Sequence, residues 1–562
     1  MFNLSPIYTT AEVREQLELP ANMPTTTKTK RNTTGPALFT AANDNIFEGA
    51  RNTSLTSLAG SMRARGMSHA AILTALTITN RDQIKPPLPD REVESIAASI
   101  MRYPSAANDT DLRRSLNDIG NANRLVAMFG VELRYVPERG AWLWWNGDRW
   151  QFDYNSVKIT ECAKMAVKAI YMEALNLSDT DLAVEVVKFA GRSHHAARVG
   201  AMIDLAAKDG AMVIRLSMLD ADPMKLGVAN GIVDLRTGKL ISNQLEFYIT
   251  KFSNVIYDGH AKCPTFLIFL NRIFEMKKDV IAYVRRVIGY CLTGRTDAQV
   301  LLFFYGIGAN GKSTLLNVVE LLLGTELAKQ TPPETLMVKK QGNSASNDVA
   351  RLQGVRVVLS NEIEDGSLLA ETTVKQLTGG DTITARFLFK EFFEFKPEFK
   401  IFVAGNHKPV IRGTDYGIWR RIHLVAFPLV IPAAERDPML LMKLKVELAG
   451  ILNWAIKGCL EWQRDGLLPP ATVTEAVEEY RDEMDVLGHW LAEQCDFGVG
   501  YSERVGQLYQ RYQDWAKWGG YKPMTIAAFG RRLGERGLTK SRVADGVVYQ
   551  GVKLKLAPIY GV

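Results

Sequence analysis

The sequence predicts an α/β motor built on a parallel sheet, with α-helical and α+β modules before it and a winged helix after it. Three observations predict this. The first is Gly306-Ile307-Gly308-Ala309-Asn310-Gly311-Lys312-Ser313, which fits the phosphate-loop pattern G-x-x-x-x-G-K-[ST]. The apolar run Val300 to Tyr305 leads in as a buried strand. Thr314 to Leu323 leads out with apolar residues at helical spacing, and Gly324 is its stop. Strand, glycine loop, helix is the context the pattern needs. The second is a pair of further apolar runs, Val355 to Leu359 and Phe399 to Ala404, each followed by a polar residue. Strands of a parallel sheet present such residues at their C-terminal ends, where ligands bind. The third is charge. From Tyr501 to Val562 there are eleven Lys and Arg against four acids, an excess equal to the net +7 of the whole chain. A basic terminal module is the footprint of a polyanion partner.

The bulk properties narrow the class. The 562 residues suggest about three or four domains. No apolar run approaches the ~20 residues of a membrane span, and Met1-Phe2-Asn3-Leu4 lacks the basic and apolar blocks of a secretory signal. The five cysteines are scattered with no C-x-x-C pair, which argues against a zinc ribbon and a disulfide framework. The expectation is a reducing, cytoplasmic protein.

In chain order, residues 1–46 are polar and aperiodic around Thr25 to Thr34 and read as a disordered arm. Residues 47–110 read as a small helical module. Leu55-Leu58-Met62 and Ile72-Leu73-Leu76 keep helical spacing, Pro86-Pro87-Leu88-Pro89 is a stop, and Asp90 is placed to cap the next helix. Residues 111–262 read as an α+β unit. Its block Trp142 to Trp150 reads as a hairpin around Asn146-Gly147, with its tryptophans in a core rather than stacked on bases. Asn230-Gly231 marks a second turn-and-strand element. Asp220-Ala221-Asp222 has the spacing of a metal-binding carboxylate pair, but Pro223 favours a loop.

Residues 263–470 form the motor. Helices are expected over Pro264 to Phe274 and Asp279 to Leu292. In the loop, Gly306, Gly308, Ala309, Asn310 and Gly311 allow backbone N–H groups to close on phosphates. Lys312 offers a charge to the β- and γ-phosphates, Ser313 a hydroxyl to Mg²⁺, and Thr314 opens the helix. The strand Val355 to Leu359 is expected beside the loop strand. It delivers Glu362, which can hold Mg²⁺ through water or activate the attacking water, with Glu364 a second candidate. Lys375 to Asn406 reads as strand, hairpin, strand. Asn406 at its end can orient water or touch the γ-phosphate. The hairpin mixes Arg386 and Lys390 with phenylalanines. That mix suits phosphate contact with stacking, although the phenylalanines are expected in the core. Arg420 or Arg421 is placed to neutralise transition-state charge. Residues 471–562 read as helices, an arginine-bearing helix with Arg531 and Arg532, and a hairpin with Lys540 turning at Asp545-Gly546. This is a winged helix making phosphate contacts.

The order of Gly306 to Ser313, Glu362, Gly379-Gly380-Asp381, Asn406-His407-Lys408-Pro409 and Trp419-Arg420-Arg421 resembles a superfamily-three DNA helicase. Asn310-Gly311-Lys312-Ser313-Thr314 is typical of its phage, plasmid and poxvirus primase–helicase branch. Glu48 to Asn52 with Pro86-Pro87-Leu88 resembles the helical module found after the catalytic domain of phage and plasmid primases. Gly120-Asn121-Ala122, Trp142 to Trp150 and Asn230-Gly231 resemble the domain preceding the motor in poxvirus and satellite-phage relatives. The resemblance implies an AAA+-like ATPase using ATP and Mg²⁺, usually a hexameric ring, moving on single-stranded and forked DNA in a bacterial host cell. Carried over, Glu362 is the acidic residue, Asn406 the sensor, Arg420 and Arg421 the finger candidates, and Lys390 the channel-hairpin candidate. A separate primase or initiator is an implied partner, since no primer-making domain is read in this chain. The competing reading is a DNA-bound NTPase switch or loader that does not unwind processively.

Overall fold

The structure is a computed structural model describing residues 51–64, 67–101, 109–338, 345–413, 415–544 and 546–555. The arm read over 1–46 lies outside them, as do Glu48-Gly49-Ala50 and Asp545. The chain divides into two units, Met1–Ser115 and Leu116–Val562.

The first unit contains α1 (Arg51–Ala64), α2 (His69–Gln83) and α3 (Asp90–Ile100). Leu55, Ile72, Leu76, Val93 and Ile96 close its core. Asn80 is buried, and its amide donates to the Leu88 carbonyl and accepts from the Leu88 N–H, both at 2.8 Å. This reciprocal pair satisfies a buried polar group and pins the proline turn. Asp90 was expected as a cap, but it is the first helical residue, and the cap position is Pro89 with no side-chain bond. Its charge still suits the positive end of the helix.

The second unit opens with α4 (Asp118–Phe129) and the antiparallel strands β1 (Leu133–Val136), β2 (Ala141–Trp145) and β3 (Trp150–Asp153). The β2–β3 loop turns on Asn146, whose Oδ1 accepts from the N–H groups of Asp148 and Arg149 at 2.9 and 2.8 Å. Trp142 and Trp150 are buried and Trp144 and Trp145 half-buried, so the tryptophans pack inward as expected. Helices α5 (Val157–Leu175) and α7 (Ala196–Ala206) share a core with this sheet, and α6 (Thr180–Ser193) packs on α5. A second sheet joins β4 (Lys225–Val228), β5 (Gly231–Asp234) and β6 (Lys239–Ile241), with Val228 and Gly231 paired across the expected turn. Asp220 and Asp222 lie in a loop. Asp220 accepts from the Thr250 N–H at 2.7 Å, and Asp222 pairs with Arg236 at 2.8 Å. Both carboxylates thus serve the loop.

Helices α8 (Pro264–Ile273) and α9 (Lys278–Cys291) then lead into a five-stranded parallel sheet. Its strands are β7 (Leu301–Tyr305), β8 (Ala328–Gln330), β9 (Val357–Asn361), β12 (Lys400–Gly405) and β13 (Ile422–Ala426), ordered β13-β7-β12-β9-β8. The strand carrying Glu362 was expected beside the loop strand. Instead β12 lies between β7 and β9. Buried over all six residues, β12 is the strand suited to a central place. Leu302 and Phe304 of β7 face the core shared with α8, α9 and α10 (Lys312–Leu327). Leu301 and Phe303 face the opposite core, closed by Val374, Leu377 and Trp419. The sequence reading began strand, hairpin, strand at Lys375, but Glu371–Gly379 is a helix, α11. Val374, Leu377 and Thr378 are buried at helical spacing, and Gly380 ends it at φ 79°. The antiparallel pair β10 (Ile383–Ala385) and β11 (Phe393–Phe395) follows.

Beyond the sheet come α12 (Leu448–Asp465), α13 (Ala471–Glu483), α14 (Val486–Gln494), α15 (Val505–Trp518) and α16 (Ile526–Glu535). A terminal antiparallel sheet orders β14 (Cys495–Arg504), β16 (Gly546–Leu554) and β15 (Lys540–Val543) as β14-β16-β15. Its core is Trp490, Tyr512, Phe529 and Tyr549. The β15–β16 hairpin was expected. Strand β14 was not, because Gly498 and Gly500 break its pattern and shift its register.

In the motor, the half-buried His423 of β13 is hydrogen-bonded through Nδ1 to the buried Tyr283 hydroxyl. Burial pushes its imidazole down to about 4. The unfolded chain therefore takes up a proton near pH 6.5 that the folded chain refuses. The stability is complete above that pH and is lost as pH falls towards 4, up to about 3 kcal/mol. His423→Gln keeps a hydrogen-bonding partner for Tyr283 but cannot titrate. Its Tm should fall less than the wild type's between pH 7.5 and 5, measured by calorimetry.

Candidate functional site

The loop after β7 has the shape of an anion cradle. Gly311 precedes α10 at φ 89°, and a Cβ there would stand 2.6 Å from Ile273 Cγ2. Gly306 meets the Phe427 carbonyl, which a Cβ would approach to 2.4 Å. Both positions admit only glycine. Gly308 and Ala309 are exposed at the apex, and Ala309 accepts from the Ile431 N–H at 2.9 Å. Asn310 turns inward. Its amide donates to the Ile307 carbonyl at 2.6 Å and the Phe427 carbonyl at 3.3 Å, so its side chain braces the loop. The N–H groups of Lys312, Ser313 and Thr314 form the first turn of α10, whose helical backbone runs to a break at Gly324 (φ 73°), and there backbone and dipole favour an anion. Ser313 is exposed and Thr314 half-buried.

Lys312 is only 6% exposed. Its amine donates to the Gly306 carbonyl, to Asn310 Oδ1 at 3.2 Å and to Asn406 Oδ1 at 3.2 Å. All three acceptors are neutral. Burial holds the ammonium below its ordinary range. A buried cation with only neutral partners favours binding of an anion.

The sheet brings two of the expected side chains to the same edge. Asn406 follows β12, which pairs with β7 from Leu301 to Tyr305. Glu362 follows β9, paired with β12 up to Asn361 opposite Ala404. Glu362 is exposed, and its N–H donates to the Ala404 carbonyl at 3.0 Å. Its backbone sits at φ 63°, a left-handed conformation that side chains rarely adopt and that clusters at ligand sites. It lies two strand spacings from β7, roughly 10 Å. That leaves room for a phosphate and a water between acid and lysine. Glu364 is exposed two residues farther into the loop.

Arg420 and Arg421 are not brought to this edge. In the β13–β7 register Ile422 lies opposite Leu301 and Ala426 opposite Tyr305. The arginines therefore stand at the start of β7, and the loop leaves its end. About 16 Å of strand separates them, more than an arginine side chain spans. Arg420 is exposed. Arg421 is buried, bonded to Thr378 Oγ1 at 3.2 Å and to the Gly417 carbonyl. Burial and the neighbouring Arg420 both lower its affinity for its proton.

At the β10–β11 hairpin, Lys390 is exposed and Arg386 stacks 4.8 Å over the Phe392 ring. The phenylalanines were expected in the core, and the structure divides them. Phe395 is buried and Phe387 stacks on Phe393, but Phe389 is 96% exposed at φ 60° and Phe392 is 61% exposed. Composition could not show this, because core and tip phenylalanines share one apolar run. In the terminal module Arg531 is exposed and near Glu535 at 3.8 Å. Arg532 is tied to the Arg412 carbonyl, so it fastens α16 to the motor. Lys540 is exposed with its amine 5.3 Å over the Tyr549 ring. Among the described residues no group of three or more His, Cys, Asp or Glu is placed to hold a metal. No helix among them is long and apolar enough to cross a membrane.

Comparison with known proteins gives three family matches: D5 N terminal like over residues 122–275, Primase C terminal 1 over residues 40–106, and a family of unknown function (DUF5906) over residues 304–421. Among curated relatives, "Putative helicase L207/L206" of Acanthamoeba polyphaga mimivirus is 30% identical over 328 residues, covering 54% of this chain and 34% of the relative. "Putative helicase 022R" of Frog virus 3 is 28% identical, covering 48% and 29%. "Putative primase C962R" of African swine fever virus is 24% identical, covering 37% and 22%. The chain is of the phage and viral primase–helicase type. It spans about a third or less of the length of these relatives. The C-terminal region of NrS-1, a solved structure, aligns with this primase–helicase-type chain at 10% identity and a TM-score of 0.40, covering 75% of this chain and 95% of the other.

Gly311→Ala adds a Cβ at a left-handed position against Ile273. It should destabilise the motor by about 2–4 kcal/mol and weaken nucleotide binding, read by chemical denaturation and by fluorescent-nucleotide titration.

Proposed function

We propose that the chain is an ATP-dependent, ring-forming DNA helicase motor for replication of a phage or mobile element, translocating on single-stranded DNA. One observation carries the reading. Lys312, Asn406 and Glu362 converge on one edge of the parallel sheet, while Arg420 stands at the other edge of the same strand pair. A site complete except for its arginine, with that arginine facing away, suits subunits arranged head to tail around a closed ring. The family resemblance adds a hexamer and an AAA+-like phosphate-loop fold.

In this reading the cradle would hold ATP with Mg²⁺, which would neutralise phosphate charge. Backbone N–H groups of the loop and α10 would hold the phosphates, Lys312 would exchange its carbonyl partners for phosphate oxygens, and Ser313 would offer its hydroxyl to the metal. Glu362 takes the proton of the attacking water, or holds the metal through water. Asn406 links the γ-phosphate position to β12. Arg420 completes the next subunit's site and Arg421 anchors it. Hydrolysis moves the β10–β11 hairpins and the strand they hold. Lys390 contacts phosphate and Phe389 stacks on a base. The domain limits of the sequence reading belong to the same proposal: 47–110, 111–262, 263–470, and a winged helix over 471–562 that holds duplex through Arg531 and Lys540.

Three experiments test this. Lys312→Ala should abolish ATPase, and so should Arg420→Ala, yet mixing the two should restore part of the activity, because mixed neighbours pair an intact loop with an intact finger. No recovery would rule out sharing between subunits. A wild-type chain that hydrolyses ATP but never displaces a strand from a forked duplex would instead favour the switch or loader. Separately, Lys390→Ala and Phe389→Ala should each lose most DNA-stimulated ATPase while keeping the basal rate. Stimulation unchanged in both would remove the hairpin from the DNA path.

A further inference from the structure

The geometry points to Gln299 as the positioning residue that aims Arg420. The inference rests on the reading of Arg420 as a finger acting on a neighbouring subunit. Gln299 lies just before β7, and its side chain makes three hydrogen bonds. Its Oε1 accepts from Arg420 Nη2 and from Arg421 Nη2, the latter at 3.3 Å. Its Nε2 donates to the Gly379 carbonyl at 3.0 Å. Its backbone stands at φ 51°, in the left-handed region, and its N–H donates to the Thr296 carbonyl at 2.9 Å. A non-glycine residue held there is strained. A glycine would fit without that strain, so the side chain is what the position retains.

The chemistry explains why an amide suits the place. Two adjacent guanidinium groups share one neutral acceptor. Arg421 has two further bonds that fix it, to Thr378 and Gly417. Arg420 is exposed, and its donation to Gln299 is the hydrogen bond that orients its guanidinium. A neutral amide holds the group in direction without neutralising it, so its full charge remains for a γ-phosphate. A carboxylate would form a bidentate ion pair about twice as strong and would compete with the phosphate. The Gly379 bond ties this aim to the end of α11, which leads directly to the β10–β11 hairpin.

The test uses the full chain and separates aim from folding. Gln299→Gly removes the amide while permitting the left-handed backbone. It should leave Tm and KM for ATP near wild type and lower kcat about ten- to a hundredfold, the scale of a misplaced charge. Gln299→Glu should also lower kcat, with activity rising as salt weakens the new ion pair. The deciding measurement is complementation. Gln299→Gly subunits have intact loops, so mixing them with Lys312→Ala subunits, whose arginines are correctly aimed, should restore turnover. A purely structural defect would stay with its own subunit and would not be rescued. Wild-type kcat in Gln299→Gly, or a deficit that Lys312→Ala neighbours do not relieve, overturns the inference. Wild-type kcat in Arg420→Ala overturns the finger reading beneath it, so the two failures are distinguishable.

Discussion

The register of β13 on β7 is the constraint on which the rest of the structure depends. With Ile422 opposite Leu301 and Ala426 opposite Tyr305, the two strands run level and parallel. Everything leaving their C-terminal ends shares one edge, including the phosphate loop and the Phe427 carbonyl that packs on Gly306. Everything entering their N-terminal ends shares the other, including Arg420, Arg421 and Gln299. A strand's two ends lie a strand length apart, so the loop and the arginines of one chain do not reach the same ligand. In the proposed ring, rotating the next subunit against this one would join them.

The opposite side of the sheet shows how its N-terminal edge is fixed. Arg356, just before β9, donates to the Leu292 and Lys225 carbonyls. Lys400 at the start of β12 donates to the carbonyls of Thr293, Arg295 and Glu398, and burial pushes its amine down to about 8. Lys251 reaches the Gly354 carbonyl at 2.6 Å, and the Glu398 carboxyl among them is pushed up by burial. These cations are saturated by backbone oxygens from the preceding module and the motor together. They act as rivets, and each also lies near the Glu398 carboxyl group, whereas Lys312 has only neutral partners. The same residue type has two uses here, and a nearby acid separates them.

Much of this was legible in the sequence, for identifiable reasons. The strand, glycine loop and helix were readable because glycine is the residue a left-handed turn accepts, and the loop's flanks carried unambiguous strand and helix periods. Glu362 and Asn406 were readable as polar residues closing apolar runs. The insertion of β12 between β7 and β9 was not, because a strand's run records its burial and not its neighbour. Helix α11 was read as strand because Val374 and Leu377 show only one turn of spacing before Gly379-Gly380. Phe389 escaped because its exposure follows from a positive φ at a hairpin tip. Gln299 carried no signal at all, since its role depends on arginines 121 and 122 residues away.

Gln299 also lies on the path that links the two edges to the β10–β11 hairpin. Its amide nitrogen bonds the carbonyl of Gly379, the last residue of α11. Four residues later β10 begins, and β11 returns the chain to β12, which ends at Asn406 on Lys312. The hairpin is therefore suspended between two hydrogen-bonded ends, one at the arginine pair and one at the phosphate lysine. Under the proposed function, ATP would take Lys312 from Asn406 to a phosphate oxygen and loosen the β12 end, and a neighbour's phosphate on Arg420 would pull on Gln299 at the α11 end. In that proposal the hairpin is held at both ends by contacts to two different nucleotides and would move according to the state of both, which is the coupling that stepping around a ring requires.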